Sequence, residues 1–190
     1  MTLHEQLISA ETFFDLVQKP EYASKKLELV QGVIVELTKP GGEHGEITME
    51  IGRLIANYVR EHRLGRVTAA ETGYILARSP KGRDTVRGPD VAFVSMARAP
   101  QGLPKGPVPF APDFAVEVIS PTNTAVEIHN KVRDLLRAGT QLIWLVYPDT
   151  RTVVVHTGAS AQTLEQDDVL SGGEVIPGFV LPIRDIFALD

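Results

Sequence analysis

Two acidic residues in strand-like segments are the strongest candidates for chemistry in this sequence. Glu117 interrupts the apolar run at residues 114–119, and Asp90 stands near the start of another strand-like run that ends at Ser95. An ionised carboxylate without a partner is strongly disfavoured in an apolar setting, so each acid needs a cation, a metal ion or a hydrogen-bond donor. Two carboxylates on adjacent strands suit a hard divalent ion such as Mg²⁺. For each residue alone, a salt-bridged acid or an acid at a strand edge is the alternative.

A basic residue, Lys131, follows these segments on a predicted helix. Glu127 lies four residues earlier and therefore on the same helix face, where the two side chains could form a simple ion pair. If Lys131 instead lies over the strand end that carries Glu117, its ammonium group can orient a water molecule and offset negative charge on a phosphate. The spacing does not decide between these interpretations.

Two further residues are candidates for supporting roles. His44 comes three residues before Ile47, at the start of the apolar stripe of a long predicted helix, so we expect it to point inward at a helix end that favours anions. A hydrogen-bonded core histidine is the alternative. Glu28 alternates with Leu27 and Leu29 in a predicted strand. It therefore lies on the other face of a hairpin, a face that solvent could reach.

The distribution of charge indicates one phosphate-binding candidate, although the chain is acidic overall. The sequence has 19 Lys and Arg against 24 Asp and Glu, a net charge of -5. Residues 1–164 hold 18 of each sign, so the excess lies in the last 26 residues. Residues 60–87 carry seven basic residues against three acids, a surplus that could meet phosphate. The candidates for contact with nucleic-acid phosphates are Arg78, Lys81, Arg83 and Arg87. A solvated loop and helix end is the alternative.

Composition and absent motifs exclude several classes of protein. Apolar residues make up 43% of the 190 residues and charged residues 23%, which is typical of one globular domain with a sizeable core. The sequence has no cysteine, which excludes thiol catalysis and Cys-ligated zinc. The motifs GxxxxGK(S/T), GxGxxG after a strand, GxSxG and HExxH are absent. We find no signal peptide and no apolar stretch that could span a membrane, so we expect a cytoplasmic protein.

The predicted elements form an α/β pattern in a single domain. Helices are predicted at residues 9–17, 47–64, 125–138 and 184–189. Strands are predicted at residues 27–30, 33–37, 67–77, 89–95, 113–119, 141–147 and 151–157. Gly32 lies in the turn of the first hairpin, and Ser9 is the predicted N-cap of the first helix. A sheet with a long helix on each face would bury these patterns. We place the core at residues 27–157, followed by an acidic C-terminal extension at residues 158–190.

The motifs in combination resemble the Uma2 family of endonucleases, a branch of the PD-(D/E)xK superfamily. The stretches that carry the resemblance are residues 27–32, His44, Pro89-Asp90-Val91, residues 114–121, Lys131, Gly139, Trp144 and Pro177-Gly178-Phe179. Together they cover most of residues 11–188.

The resemblance implies a restriction-endonuclease-like core in the order αβββαβ, with a mixed sheet flanked by helices, an N-terminal hairpin and C-terminal strand extensions. It also implies hydrolysis of DNA phosphodiester bonds, with Mg²⁺ or Mn²⁺ bound by Asp90 and Glu117 and with Lys131 positioning the attacking water. Glu28 and His44 would support these residues.

Two positions depart from the pattern of the superfamily or the family. Ile119 stands where the superfamily usually has its lysine, two residues after the glutamate. Uma2 sequences are similar to this one in having a lysine on the following helix, which makes Lys131 the substitute. Glu127 stands where the family usually has aspartate, and it keeps the same charge.

We therefore expect a homodimeric Mg²⁺-dependent endonuclease, since one small domain presents one site and cleavage of a duplex requires two cuts. The rival hypothesis is a catalytically inactive binding or interaction module on the same fold, whose carboxylates serve structure alone. The mild acidity of the chain favours this rival. The enzyme hypothesis requires Asp90 and Glu117 to meet on one face of the sheet.

Overall fold

The computed structural model describes residues 7–158 and 160–188. The α-helices in this part of the chain are α1 (Ala10–Val17), α2 (Gly42–Glu61), α3 (Ala125–Arg137) and α4 (Ile183–Phe187). The strands are β1 (Lys26–Val30), β2 (Val33–Leu37), β3 (Gly65–Ala69), β4 (Tyr74–Ala77), β5 (Thr85–Arg87), β6 (Val91–Ser95), β7 (Phe114–Val118), β8 (Leu142–Tyr147), β9 (Thr152–Thr157), β10 (Ser160–Leu164), β11 (Val169–Ser171) and β12 (Val180–Pro182).

A mixed six-stranded sheet with the order β10-β9-β8-β7-β6-β3 forms the centre of the protein. Strands β7 and β8 run parallel, and the other neighbours run antiparallel. Side chains alternate between the faces, so Val116 packs in a cluster with Ile51 of α2, whereas Ala115 packs with Leu135 of α3. The core order α2, β3, β6, β7, α3, β8 confirms the predicted αβββαβ arrangement. Strands β4 and β5 are inserted between β3 and β6.

A second sheet, antiparallel and of order β2-β1-β5-β4, contains the predicted N-terminal hairpin. Its turn has positive φ at both Gln31 (50°) and Gly32 (84°), the pattern of a type I′ turn. A Cβ on Gly32 would lie 2.2 Å from the carbonyl oxygen of Gly82, so a larger residue is excluded there. The N–H of Gly32 donates to the carbonyl of Asp84 at 2.8 Å. The turn is thereby fixed against the segment that leads into β5.

The ends of α1 and α3 are set by side-chain caps. The hydroxyl of Ser9 accepts a hydrogen bond from the N–H of Thr12 at 3.3 Å, as the predicted N-cap requires. Helix α3 begins with a capping box. The N–H of Glu127 donates to Oγ1 of Thr124 at 3.2 Å, and the N–H of Thr124 donates to Oε2 of Glu127 at 2.8 Å. The carboxylate of Glu127 therefore serves the start of the helix.

Two segments differ from the prediction. The single strand predicted at residues 67–77 is two strands in different sheets, β3 and β4, because the chain turns between them with φ 71° at Glu71. No strand is predicted between residues 77 and 89, but the basic segment there ends in β5, whose three residues are all buried. The strand is not predicted because it has only three residues and follows a segment whose composition is typical of a loop.

The acidic C-terminal segment packs on the main core. Leu170, Phe179 and Ile186 belong to the same buried cluster as Ile51 and Trp144. Helix α4 ends at Phe187, and Leu189, the predicted end, lies outside the described residues. None of the described helices has the length and apolar character needed to cross a membrane.

Candidate active site

A cavity of about 650 Å³ opens where both sheets approach α3. Its wall includes residues of β1 and β2, the start of α2, the segment before β6, the end of β7 and residues 127–134 of α3. The predicted catalytic and supporting residues that line it are Glu28, His44, Asp90, Glu117 and Lys131. The fold thus brings together side chains that are far apart in the sequence.

Asp90 and Glu117 lie on the same face of the six-stranded sheet. The antiparallel register pairs Val91 with Val116, so one step further along places Asp90 beside Glu117. Oδ2 of Asp90 accepts a hydrogen bond from the backbone N–H of Val118 at 2.9 Å, which ties it to the end of β7. The two acids are 2% and 8% exposed. They therefore converge in a largely buried part of the cavity.

Basic neighbours hold Asp90 in its ionised form. Burial raises the pKa of Asp90, but the hydrogen bond from His44 and the charges of Lys131 and Lys26 outweigh it and bring the pKa down to about 2. Nε2 of His44 lies 3.2 Å from Oδ2 of Asp90, and Nζ of Lys26 lies 3.5 Å from Oδ1. His44 is directed inward from the start of α2, as expected, and its partner there is a carboxylate.

Lys131 joins the parts of this site. Its Nζ lies 2.7 Å from Oε2 of Glu117, 3.2 Å from Oε1 of Glu28 and 3.3 Å from the carbonyl oxygen of Gly88. Burial lowers the pKa of Lys131, but the charges of Glu117, Glu28 and Asp90 outweigh this effect. The pKa is therefore raised above its usual value. Of the two interpretations left open by the sequence, the structure selects the one in which Lys131 lies over the strand end. Glu127 caps the helix instead.

Glu117 keeps one carboxyl oxygen free of hydrogen bonds. Its Oε1 is buried and has no hydrogen-bond partner among the described residues. Burial, together with the charges of Asp90 and Glu28, raises the pKa of Glu117 to about 8 against the opposing effect of Lys131. A buried oxygen without a donor, next to a second carboxylate, is a suitable ligand for a cation.

Glu28 does not face solvent, which corrects the expectation for this hairpin face. It is 3% exposed, because side chains of α3 cover the face. The register that pairs Leu29 with Val86 places Glu28 opposite Arg87. Oε2 of Glu28 accepts from Arg87 at 2.8 Å, and Oε1 accepts from the N–H of Gly88 at 3.0 Å. Alternation alone could not show which face of the hairpin the helix would cover.

Arg87 is not exposed, which corrects its assignment to a phosphate-binding loop. It is 7% exposed in β5, and besides Glu28 it contacts Oδ2 of Asp134 with two N–H groups, at 2.6 and 3.2 Å. Two carboxylates therefore neutralise its charge inside the protein. Arg87 joins the second sheet to α3 and fixes the side of Glu28 that faces away from Lys131.

The remaining members of the predicted phosphate-binding segment lie outside the large cavity. Arg78 is exposed and pairs with Glu11 of α1. Lys81 is exposed, and Arg83 lines a smaller neighbouring cavity. Contact of these three residues with nucleic acid stays a prediction.

Three residues of the site were not predicted from the sequence. Lys26 had a detectable signal, since it precedes Glu28 by two positions and so shares its strand face. Asp134 and Arg133 follow Lys131 by three and two residues on α3, and both line the cavity. The sequence did not show which turns of α3 would meet the two sheets.

The donor set fits a divalent cation that keeps most of its waters. Within the described ranges there is no group of three or more His, Asp or Glu side chains that could by itself hold a metal ion. Mg²⁺ commonly binds through one or two carboxylates, with water and substrate phosphates completing its shell. Asp90 and the unpartnered Oε1 of Glu117 would supply that number of protein oxygens.

Comparison with known proteins adds the family to this geometry. The pattern of the Uma2 family, described as a putative restriction endonuclease, matches residues 10–184. The chain belongs to the Uma2 family. This confirms the resemblance predicted from the motifs. Among curated proteins, no significant match was found for this Uma2 chain.

A solved structure shares the fold of this Uma2 protein, a mixed sheet flanked by helices. It is the crystal structure of a putative nuclease belonging to DUF820 from Anabaena variabilis ATCC 29413, with a TM-score of 0.76 and 24% sequence identity. The alignment covers 92% of this chain and 96% of that chain. At this level of identity the likeness establishes the fold alone.

Proposed function

We propose that this Uma2 protein is an endonuclease that uses Mg²⁺ or Mn²⁺ to hydrolyse phosphodiester bonds of DNA. The observation that carries the proposal is the convergence of Asp90, Glu117 and Lys131 in one cavity, with the buried Oε1 of Glu117 left without a hydrogen-bond partner among the described residues. The description of the family as a restriction endonuclease supports the choice of nucleic acid as substrate.

Asp90 and Glu117 would hold the ion in this proposal. When bound, a divalent ion lowers the pKa of water and offsets the negative charge of phosphate oxygens. The chain prepares this position in two ways. His44 and Lys26 keep Asp90 ionised and fix its orientation, and the sheet register presents Glu117 on the same side. Burial excludes bulk water, which strengthens every charge interaction in the cavity.

Lys131 would hold the attacking water in line with the phosphate. An ammonium group has three N–H donors, and those of Lys131 contact Glu117, Glu28 and the carbonyl of Gly88. The contact with Gly88 is the longest, at 3.3 Å, so it is the one most easily exchanged for water or a phosphate oxygen. The two carboxylate contacts would then fix the direction of the third N–H.

We propose a homodimer as the form that cuts both strands. Each chain supplies one such cavity, and cleavage of a duplex requires one site for each strand. Sedimentation of the purified protein with and without a DNA duplex measures this directly. A monomer that makes nicks but never linear products would contradict the dimer while leaving the nuclease proposal intact.

A plasmid-nicking assay tests the catalytic proposal. In millimolar Mg²⁺ or Mn²⁺, wild-type protein is expected to convert supercoiled plasmid to nicked and linear forms, and EDTA to abolish the reaction. The isosteric variants Asp90→Asn and Glu117→Gln should be slower by at least about 100-fold. Asp185→Asn is the matched control, since Asp185 is exposed on α4 and does not line the cavity. Wild-type rates in both cavity variants would refute the proposal.

The rival function, an inactive binding module, is favoured by one observation. All three contacts of Lys131 are to protein acceptors, which a purely structural ion-pair cluster would also show. Titration with Mg²⁺ or Mn²⁺ separates the two cases, because a working site gains thermal stability by binding the native state preferentially. Glu117→Gln should lose this gain. A melting temperature that is independent of both ions in the wild type would support the rival.

A further inference from the structure

Three arginines around the active-site cavity have no carboxylate partner in the described part of the chain. Arg78 and Arg87 each pair with an acid, whereas no ion pair forms at Arg83, Arg133 or Arg137 within the described residues. Arg133 lines the large cavity, and its buried Nε lacks a hydrogen-bond partner there. Unmatched guanidinium groups at the edge of a cleft are sites for anions, above all for phosphate.

Arg83 and Arg137 line a second cavity of about 390 Å³ that adjoins the first. Gln31 and Asp134 contribute to the walls of both cavities, so the two lie side by side along α3, and we call them together the groove. Lys131, at the catalytic end, and Arg137 are six residues apart on this helix, a rise of about 9 Å. Along the helix axis, that rise corresponds to roughly two or three nucleotides of a DNA strand at about 3.4 Å each.

The charges at the second cavity leave a positive surplus, with Arg83 and Arg137 against Asp134. Arg133 and Arg137 are four residues apart on α3, an arrangement in which like charges repel each other. The acid that faces both cavities, Asp134, is already paired with Arg87 at 2.6 Å. Arg83 adds a third positive group from the segment before β5. An anion between these side chains would remove the repulsion.

We propose that Arg133, Arg137 and Arg83 form a phosphate track for the DNA strand beside the bond that is cut. The inference rests on the proposed function, because the track leads from the cavity of Lys131. Contacts of this kind position the backbone and carry no sequence information. The track therefore supplies affinity that is independent of sequence and falls steeply with salt.

Binding of a fluorescein-labelled DNA duplex, followed by anisotropy in EDTA over a series of KCl concentrations, tests the track. For the wild type, the logarithm of the binding constant should fall linearly with the logarithm of salt concentration. The double variant Arg133→Gln/Arg137→Gln should bind more weakly, and the magnitude of its slope should be smaller by about 2. In Arg83→Gln the magnitude of the slope should be smaller by about 1. Arg133→Lys/Arg137→Lys keeps the charges and should keep most of the slope.

Arg184→Gln is the matched control, because Arg184 is exposed on α4, which packs with α2 on the opposite face of the six-stranded sheet. It removes the same charge and should leave the slope unchanged. Wild-type slope and affinity in the double glutamine variant, or an equal loss in Arg184→Gln, would overturn the track.

EDTA prevents metal-dependent cleavage during the binding experiment. The result for the phosphate track therefore does not depend on whether the protein cuts DNA in the nicking assay. A reduced slope in the variants of a protein that never nicks plasmid would keep the track and reject the nuclease. If the wild type nicks plasmid but the variants bind DNA with the wild-type salt dependence, the nuclease proposal stands and the track is rejected.

Discussion

The ammonium group of Lys131 lies 2.7 Å from Oε2 of Glu117, while Oε1 of the same carboxyl group is buried without a donor among the described residues. Glu117 is therefore held from one side and open on the other. This asymmetry distinguishes it from Glu28, whose two oxygens both accept hydrogen bonds. It makes Glu117 the residue that links the charge balance and stability of the cluster to the metal binding that we propose.

Removal of the lysine charge should destabilise the protein. In Lys131→Met, Glu28 and Glu117 lose a buried cation, and breaking a buried pair in this way costs about 3–5 kcal/mol. The double variant Lys131→Met/Glu117→Gln removes one of the stranded acids and should recover part of the loss. Urea unfolding at high pH without metal measures both free energies. A double variant that is no more stable than Lys131→Met would show that the two side chains are not coupled.

Stability without metal should fall as the pH rises from about 4.5 towards 8. Folding raises the pKa of Glu117 from 4.5 to about 8, so the folded chain binds more protons than the unfolded chain in this window. Asp90 acts in the opposite sense: its pKa falls from 3.8 to about 2, so its contribution is lost as the pH falls through that lower range.

The variant Glu117→Gln separates these two effects. It should have a flatter stability profile between about pH 5 and 8 and should keep the loss at low pH that Asp90 causes. Urea unfolding across the pH range, with the wild type measured in parallel, gives the comparison. Equal slopes for both proteins above pH 5 would show that Glu117 does not titrate in this window.

Two replacements of Arg87 should distinguish how much its positive charge and its planar guanidinium group each contribute to the free energy of unfolding. Arg87→Met leaves Glu28 and Asp134 buried without their shared partner and should lower the free energy of unfolding by about 3–5 kcal/mol. Arg87→Lys keeps the charge but cannot contact both acids with a planar fork, so an intermediate loss is expected. Chemical denaturation of the three proteins checks this order. If Arg87→Met were as stable as Arg87→Lys, the ion pairs would contribute little.

A single methyl group at Gly32 should disturb the hairpin that carries Glu28. Gly32→Ala meets the carbonyl of Gly82 at 2.2 Å and must also adopt positive φ. Gly173→Ala is the matched control, because Gly173 has φ 55° but nothing within 4 Å of a Cβ. We expect about 1 kcal/mol of destabilisation for Gly173→Ala and clearly more for Gly32→Ala, measured by thermal unfolding. Equal losses would mean that the turn can move away from Gly82.

The sequence predicted the parts of the fold whose signals are local. The apolar stripe of α2, the capped start of α3 and the apolar runs of β6 to β8 each follow from a short segment. The prediction failed at β5, because three buried residues inside a basic, Gly-containing segment give no strand periodicity. It also merged β3 and β4, since the turn at Glu71 has no proline or glycine at its centre.

The sequence predicted several residues that line the candidate site, but it did not predict the side chains with which some of them pair. Glu117 was recognisable because a carboxylate inside an apolar strand needs compensation. The burial of Glu28 and Arg87 was not, because it depends on contacts between β1, β5 and α3, which lie far apart in the sequence. Long-range pairing of this kind decides whether a charged residue faces solvent, and one strand alone carries no signal for it.

Gly88 and Pro89 form the short connection, or bridge, between the two sheets. The contacts on both sides of this bridge require it to keep its present length. Gly88 donates its N–H to Glu28 and accepts a hydrogen bond from Lys131, while the residues on either side of the bridge, Arg87 and Asp90, belong to different parts of the cluster. One inserted residue would displace them by up to about 3.5 Å and would misalign both groups at once. An insertion at this bridge should therefore disturb the cluster more than an insertion of the same length in an exposed loop.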